Sequence, residues 1–276
     1  ALLTTTTSGN NAAFGFCALK TTSTDSNAAF GANALRDQTT GIYNTAVGSA
    51  AGLKTTTGTR NVAIGTTAMG CNTTGSCNTA VGGMDAGTLP TMWQNTSGNQ
   101  NTAIGNATLV KNTTGDFNTA VGAQSLSENT TSDDNTSVGF RSLMCNVGGA
   151  SNTAVGSGTL QDNTSGQQNT AVGQLALHAN TTGQYNSAFG FQAMNRNTDS
   201  EGNTGIGYQA LYTNTTGDSN TAVGRDALVA STTASDNTAV GKDSLKANTT
   251  GASNVAVGTN ALAANTTAVN NTAVGK

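Results

Sequence analysis

Proline is nearly missing from this chain: Pro90 is the only one in 276 residues. Charged residues make up 9% and aromatic residues 4%, and the formal net charge is −3. Each shortage excludes something. Disorder driven by charge repulsion or by Pro-rich sequence has no basis here. Acids and bases are scattered without a basic stripe, so phosphate neutralisation, and with it nucleic-acid binding, has no footprint. No apolar run is long enough to span a bilayer. The chain opens on Ala1 in mid-pattern, with no initiator Met, charged n-region or apolar h-region, which leaves a lost signal or a longer parent chain open.

Chemistry-bearing residues are equally sparse. His178 is the only histidine, and no metal-ligand spacing occurs. A Ser-His-Asp set cannot be assembled with a histidine to spare. The acids Asp85, Asp133, Asp134 and Glu201 are isolated loop residues, and the pair Asp133–Asp134 reads as a solvated turn before it reads as a glycosidase pair. Glycine recurs at corners, not in a phosphate-cradling loop ahead of a helix. The expectation is a chain without catalytic activity, metal or cofactor.

What is present is one phrase, repeated. Anchored on its first Asn, it falls at residues 11, 27, 44, 61, 78, 101, 118, 135, 152, 169, 186, 203, 220, 237, 254 and 271. Of the fifteen intervals, thirteen are 17 residues, one is 16 and one is 23. The consensus is N-T-A-V-G-x-x-A-L-x-x-N-T-T-G-x-x. Three residues after the anchor stands a large apolar side chain, from Phe14 and Phe30 through Val47 and Ile64 to Val274, of the types that favour a strand. Eight after it stands Leu or Met in most units, as in Leu126, Leu177, Met194 and Leu245. These two slots read as the core. The slot between Thr and the large residue is nearly always Ala, with Ser137 and Gly205 as exceptions, which implies close backbone approach. Gly follows the large residue in all sixteen units, implying a positive φ or a tight corner. In N-T-T-G, Asn and Thr bond locally to backbone and Gly supplies a left-handed residue.

Each unit thus reads as strand, corner, short strand and turn, and no helical period persists. A 17-residue unit suits one coil of a parallel β-solenoid, in which each coil hydrogen-bonds to the next. The expected fold is therefore all-β: a single continuous parallel β-solenoid over 1–276, about sixteen coils, with a six-residue insertion within 83–94. Stacked anchors such as Asn203, Asn220 and Asn237 would form an amide ladder. Two large apolar side chains per coil make a thin core. Burying an outer face against other chains would thicken it, which favours a homo-oligomer, a trimer first.

The phrase NTAVGxxAL followed by NTTGxxNTAVG resembles the head repeats of trimeric autotransporter adhesins of the YadA type. It is also similar to the Asn/Thr-rich repeats of bacterial and phage tail-fibre-like proteins. The resemblance covers nearly the whole chain. It implies a left-handed parallel β-roll, extracellular display on a cell surface or a virion fibre, and an adhesive or structural role.

The breaks in the pattern are the candidate sites. The longest interval holds the only Pro and the only Trp, Pro90 and Trp93. An insertion in a solenoid maps to a loop on one face, either a tolerated loop whose Trp covers the rod or a loop that binds a glycan or a host receptor. Of the cysteines Cys17, Cys71, Cys77 and Cys145, only Cys71 and Cys77 lie close enough along one turn for a disulfide; the alternative is four free thiols. The motif N-x-[ST] recurs, for example at Asn72, Asn95, Asn106, Asn112, Asn129, Asn163, Asn180, Asn214, Asn248 and Asn265. In a secreted eukaryotic chain these would be glycan acceptors on surface turns, although an Asn/Thr-rich turn generates the motif by itself. The first and last units end in nearly complementary phase, which fits a window on a longer repeat protein or head-to-tail stacking into a filament.

Function follows from stacking. The first reading is a self-stacking fibre component: adhesin head, tail-fibre shaft or surface filament. An ice-binding Thr array is the second, resting on the file Thr119, Thr136, Thr153 and Thr170 but lacking a second Thr file. A glycan-binding, tail-spike-like protein is the third, weakened by the missing acid pairs.

Overall fold

A computed structural model describes residues 9–84 and 89–276 of the chain. Every regular element among them is a strand, sixteen in all, each three residues long. The chain divides into two compact units, Ala1–Ser137 and Val138–Lys276. Both are parallel β-solenoids with one short strand per coil; the second short strand expected at the Leu slot is a turn instead. In the first, strands from Ala12–Phe14 to Thr119–Val121 pair successively. In the second, strands from Thr153–Val155 to Thr272–Val274 do the same. Like residues face like: Ala171 lies beside Ala154 and Ala188. The two irregular intervals leave this register intact, since Ala13 still meets Ala29 and Ala80 still meets Ala103. The length differences are absorbed outside the strands.

One coil, 169–185, shows how the phrase folds. Thr170–Val172 is the strand. Gly173 follows at φ +127, a conformation that suits glycine alone, and a Cβ there would meet the Gly190 carbonyl oxygen at 2.5 Å. Leu175, Leu177 and Tyr185 are also left-handed, at φ 59, 48 and 58. Non-glycine residues at positive φ cost of order 1 kcal/mol or more each. The coil holds them there by bonding in both directions. Leu175 N–H donates back to Ser157, and Leu177 N–H donates forward to Ala193, each at 3.0 Å.

Two further expectations are corrected at this level. The large apolar slot three after the anchor is not in the core. Val155 is 37%, Phe189 39% and Ile206 40% exposed, while Ala154, Ala188 and the Leu slot from Leu109 to Leu245 are fully buried. A three-residue strand alternates, so if the middle Ala faces in, Thr and Val must face out. The restriction to small side chains at the middle slot is the mark of the inner face. The second correction concerns N-T-T-G. Gly166 and Gly183 are not among the left-handed residues. They are glycine because space is missing: a Cβ on Gly183 would meet Asn180 Oδ1 and the Ser200 carbonyl oxygen at 2.5 Å each.

The interior is filled by Ala, Leu and two files of asparagine. The anchor file forms the expected ladder. Asn186 N–H donates to Asn169 Oδ1 at 3.0 Å, and Asn169 Nδ2 donates to the Gly183 carbonyl at 2.8 Å. The second file was read as surface turn but is equally buried. Asn180 Nδ2 donates to Asn163 Oδ1 at 2.8 Å and to Gly183 at 3.1 Å, and Asn197 Nδ2 donates to Asn180 Oδ1 at 2.8 Å. Both files converge on the carbonyl of the N-T-T-G glycine. Polar groups satisfied this completely can replace apolar core without the penalty of unpaired burial.

Where the second file is interrupted, that penalty shows. Asn214 Oδ1 and Ser231 Oγ are buried without a hydrogen-bond partner, because the next rung is Ser231, too short to reach Asn214. The same coil carries Ala234 where glycine is usual, and a Cβ there crowds an Asn side chain at 231 without excluding it, since Asn197 precedes Ser200 and Asn265 precedes Ala268 in the same slots. Replacing Ser231→Asn together with Ala234→Gly is expected to stabilise the protein by about 1–2 kcal/mol. Ser231→Asn alone should give less. Chemical-denaturation midpoints measure both, and equal effects of the single and double variants would contradict the pairing.

Candidate functional site

The expected site residues are not brought together. Pro90 is buried and Trp93 half-buried. The Trp93 ring packs where a side chain at Gly70 would sit, covering the preceding coil. Met92 regains the buried core slot, so the extra residues occupy the corner between Gly82 and Thr91. Residues 85–88 of that insertion, Asp85 among them, lie outside the described residues. Beside it an open hollow of about 190 Å³ is lined by Leu89, Ala107, Val110, Lys111 and Glu128.

No disulfide joins the described cysteines, which corrects the Cys71–Cys77 pairing. The two backbones are engaged elsewhere: Cys71 N–H bonds forward to Trp93 and Cys77 N–H back to Thr59. The glycan acceptors are corrected too. Asn72, Asn95, Asn112, Asn129, Asn163, Asn180, Asn214 and Asn248 are all fully buried. Nδ2, the atom a glycan would occupy, is in each case a donor within the fold. Asn265 is half-buried and donates in the same way, to Asn248 at 2.9 Å; Asn106 is half-buried at a corner. The pattern N-T-T therefore records a ladder rung with its neighbouring hydroxyls.

Two loop acids, Asp133 and Asp218, brace the preceding coil with their carboxylates. Asp133 Oδ1 accepts from Asp116 N–H at 2.7 Å. Glu201 N–H donates to Asp218 Oδ1 at 2.8 Å. His178 Nδ1 donates to the Gly158 carbonyl at 2.9 Å, and its Nε2 lies 4.0 Å from Asp162. Among the described residues no three His, Cys, Asp or Glu side chains gather as a metal site requires, and no helix is long and apolar enough to cross a membrane. The densest charge cluster surrounds Asp243. Lys246 Nζ donates to it at 2.9 Å, with Lys242 at 3.5 Å and Arg225 at 3.9 Å. That hydrogen bond, followed by the three positive charges, holds the Asp243 carboxyl below the usual carboxylate range against the opposing effect of burial.

What the fold does assemble is a surface. In each unit the strands present two outer files: Thr or an occasional Ser, Ala or Val, and Val, Ile or Phe. Neither file carries a charge. The Thr file named above for ice binding lies on this face, and its neighbour is the apolar file, not a second row of threonines. Along the following corner the slots vary freely. In the second unit they read Phe140, Ser157, Gln174, Phe191, Tyr208, Arg225, Lys242 and Thr259. The Phe191 and Tyr208 rings stack, centroids 5.7 Å apart at 15°. Assigning the apolar file to the core hid this surface from sequence reasoning, although the alternation T-A-V with a small middle residue was its signal.

A scan of the sequence against models of known protein families finds no match, and a search of curated proteins finds none either.

Proposed function

We propose that this chain is a structural segment of an extracellular fibre, in the manner of an adhesin head or tail-fibre shaft, and that it works by associating with copies of itself through the Thr/Val strand face. The observation that carries the proposal is the uncharged outer face with one exposed or half-exposed apolar side chain per coil. An isolated apolar side chain on a surface needs no explanation, but a continuous file does. The resemblance to YadA-type and tail-fibre repeats supports the same reading and favours three chains. An interior spent on ladders, with chemistry-bearing side chains engaged in backbone bonds, is the economy of a shaft.

The test is the oligomeric state in solution. Light scattering on the purified chain should give a multiple of the 27.3 kDa protomer, a trimer first. Val155→Glu combined with Val172→Glu places two charges on that face without touching the interior. It should weaken association by at least about a hundredfold, since each buried unpaired charge costs several kcal/mol. The protomer's circular dichroism should be unchanged. A native chain that is monomeric at high concentration, or an oligomer indifferent to the two glutamates, would sink this reading.

A further inference from the structure

We propose that the bulky apolar cluster Phe189, Phe191, Ile206 and Tyr208 fixes the axial register in which a second copy of this chain docks on the strand face; this rests on the self-association proposed above. A face with one apolar ridge per coil, about 4.8 Å apart, fits without gaps only a surface with the same spacing. Another copy of this solenoid has that spacing. The fit creates a difficulty. The strands Thr153–Val155, Thr170–Val172, Thr221–Val223 and Thr238–Val240 are identical in sequence. A copy slipped by one coil along such strands loses nothing, because repetitive patterns specify register weakly.

The cluster removes that degeneracy. Phe189 and Ile206 replace Val on neighbouring strands, paired side by side. Phe191 and Tyr208 follow them across Gly190 and Gly207, 40% and 48% exposed. Five of the chain's twelve aromatic residues fall within 185–212. The Phe191–Tyr208 stack and the bond from Gln209 Nε2 to Gln192 Oε1, 2.8 Å, hold this ridge in one shape. Rigid, exposed aromatic side chains of this kind make anchors at interfaces, because little freedom is lost when they dock. A copy slipped by one coil would place bulk against a Val slot and leave a gap beside it, and close-packed interfaces tolerate neither.

Photo-crosslinking reads the register. A photoreactive residue is placed at Thr170 of the full chain, and the crosslinked partner peptide is identified by mass spectrometry. The native chain should crosslink into one coil of its partner. In Phe189→Val, Phe191→Ser, Tyr208→Ser, each slot takes a residue that other coils carry there, and the melting curve checks the fold. Crosslinks should then spread over at least three coils, 17 residues apart, with the oligomer mass unchanged. If the triple variant keeps the single native crosslink, register is set elsewhere and this inference fails while self-association stands. If the variant becomes monomeric, the cluster supplies affinity and not register, which also overturns it. A native chain that is monomeric and forms no interchain crosslink overturns both proposals.

Discussion

Gly173→Ala should cost at least about 4 kcal/mol, among the largest effects available to a single methyl group. Gly173 sits at φ +127, outside the left-handed well that Asn or Leu can enter, and its Cβ would lie 2.5 Å from the Gly190 carbonyl oxygen and 2.7 Å from the carbonyl carbon. Both obstacles are backbone. The Gly190 carbonyl cannot withdraw without opening the spacing between coils. The control is Gly202→Ala. Gly202 has φ +66, the conformation that Tyr185 and Ser219 adopt in the same slot, and its nearest neighbour is Ser219 Oγ at 3.8 Å. That substitution should cost no more than about 1 kcal/mol. Denaturation midpoints of the two variants give the comparison. Similar values would mean that coil spacing is softer than the carbonyl contacts imply, and the account of the corner would be wrong.

Asn169→Asp should be worse than Asn169→Ala at neutral pH, although it is closer to the native shape. Asn169 Nδ2 donates to the Gly183 carbonyl at 2.8 Å, and Oδ1 accepts from Asn186 N–H at 3.0 Å. Alanine loses these two bonds and a longer one from Nδ2 to Asn152 Oδ1 at 3.2 Å; Asn152 Oδ1 keeps its bond from Asn169 N–H, Gly183 keeps its bond from Asn180, and the main cost is the orphaned Asn186 N–H, about 1–3 kcal/mol. Aspartate keeps the acceptor but turns a donor into a charged oxygen facing a carbonyl, buried and without a cation. About 3–5 kcal/mol is expected. The two variants also differ in pH dependence. Burial raises the folded-state pKa of the introduced carboxyl above its unfolded value near 4. The folded state then binds the proton more tightly, so the aspartate variant gains stability as pH falls through that raised pKa. Once protonated, its hydroxyl can donate to Gly183. The alanine variant has no such dependence. Urea titrations at pH 7 and pH 4 measure this, and an aspartate penalty that does not shrink at low pH would show that the ladder is open to solvent.

These two sites also show how far the chain can be read before it is folded. Gly173 was legible. A residue that is glycine in every unit, next to a strand, had to be either a conformation or a contact, and it is both. The anchor ladder was legible too, because identical residues at a fixed interval must stack if the coils do. Asn180 was not. Its sequence context, N-T-T-G, is shared by surface turns, and nothing local distinguishes a turn that faces water from one folded under the next coil. Val172 was misplaced for a related reason: size and apolarity argue for burial in general, but once the middle side chain of a three-residue strand faces in, both its neighbours face out.

The sequence by itself determined the coil: its length, its strand, its corners and the parallel stacking of like on like. All of these follow from a period repeated along one chain, where each unit is its neighbour's template. Only the tertiary structure decided which side of the coil is inside. The interior is too narrow to admit Val beside Leu and two asparagines, so it takes Ala and turns Val outward. It also decided that the acceptors of the N-T-[ST] motif in the second file are buried rungs, because the carbonyl that completes each rung lies three residues along the chain and its partner amide a whole coil away.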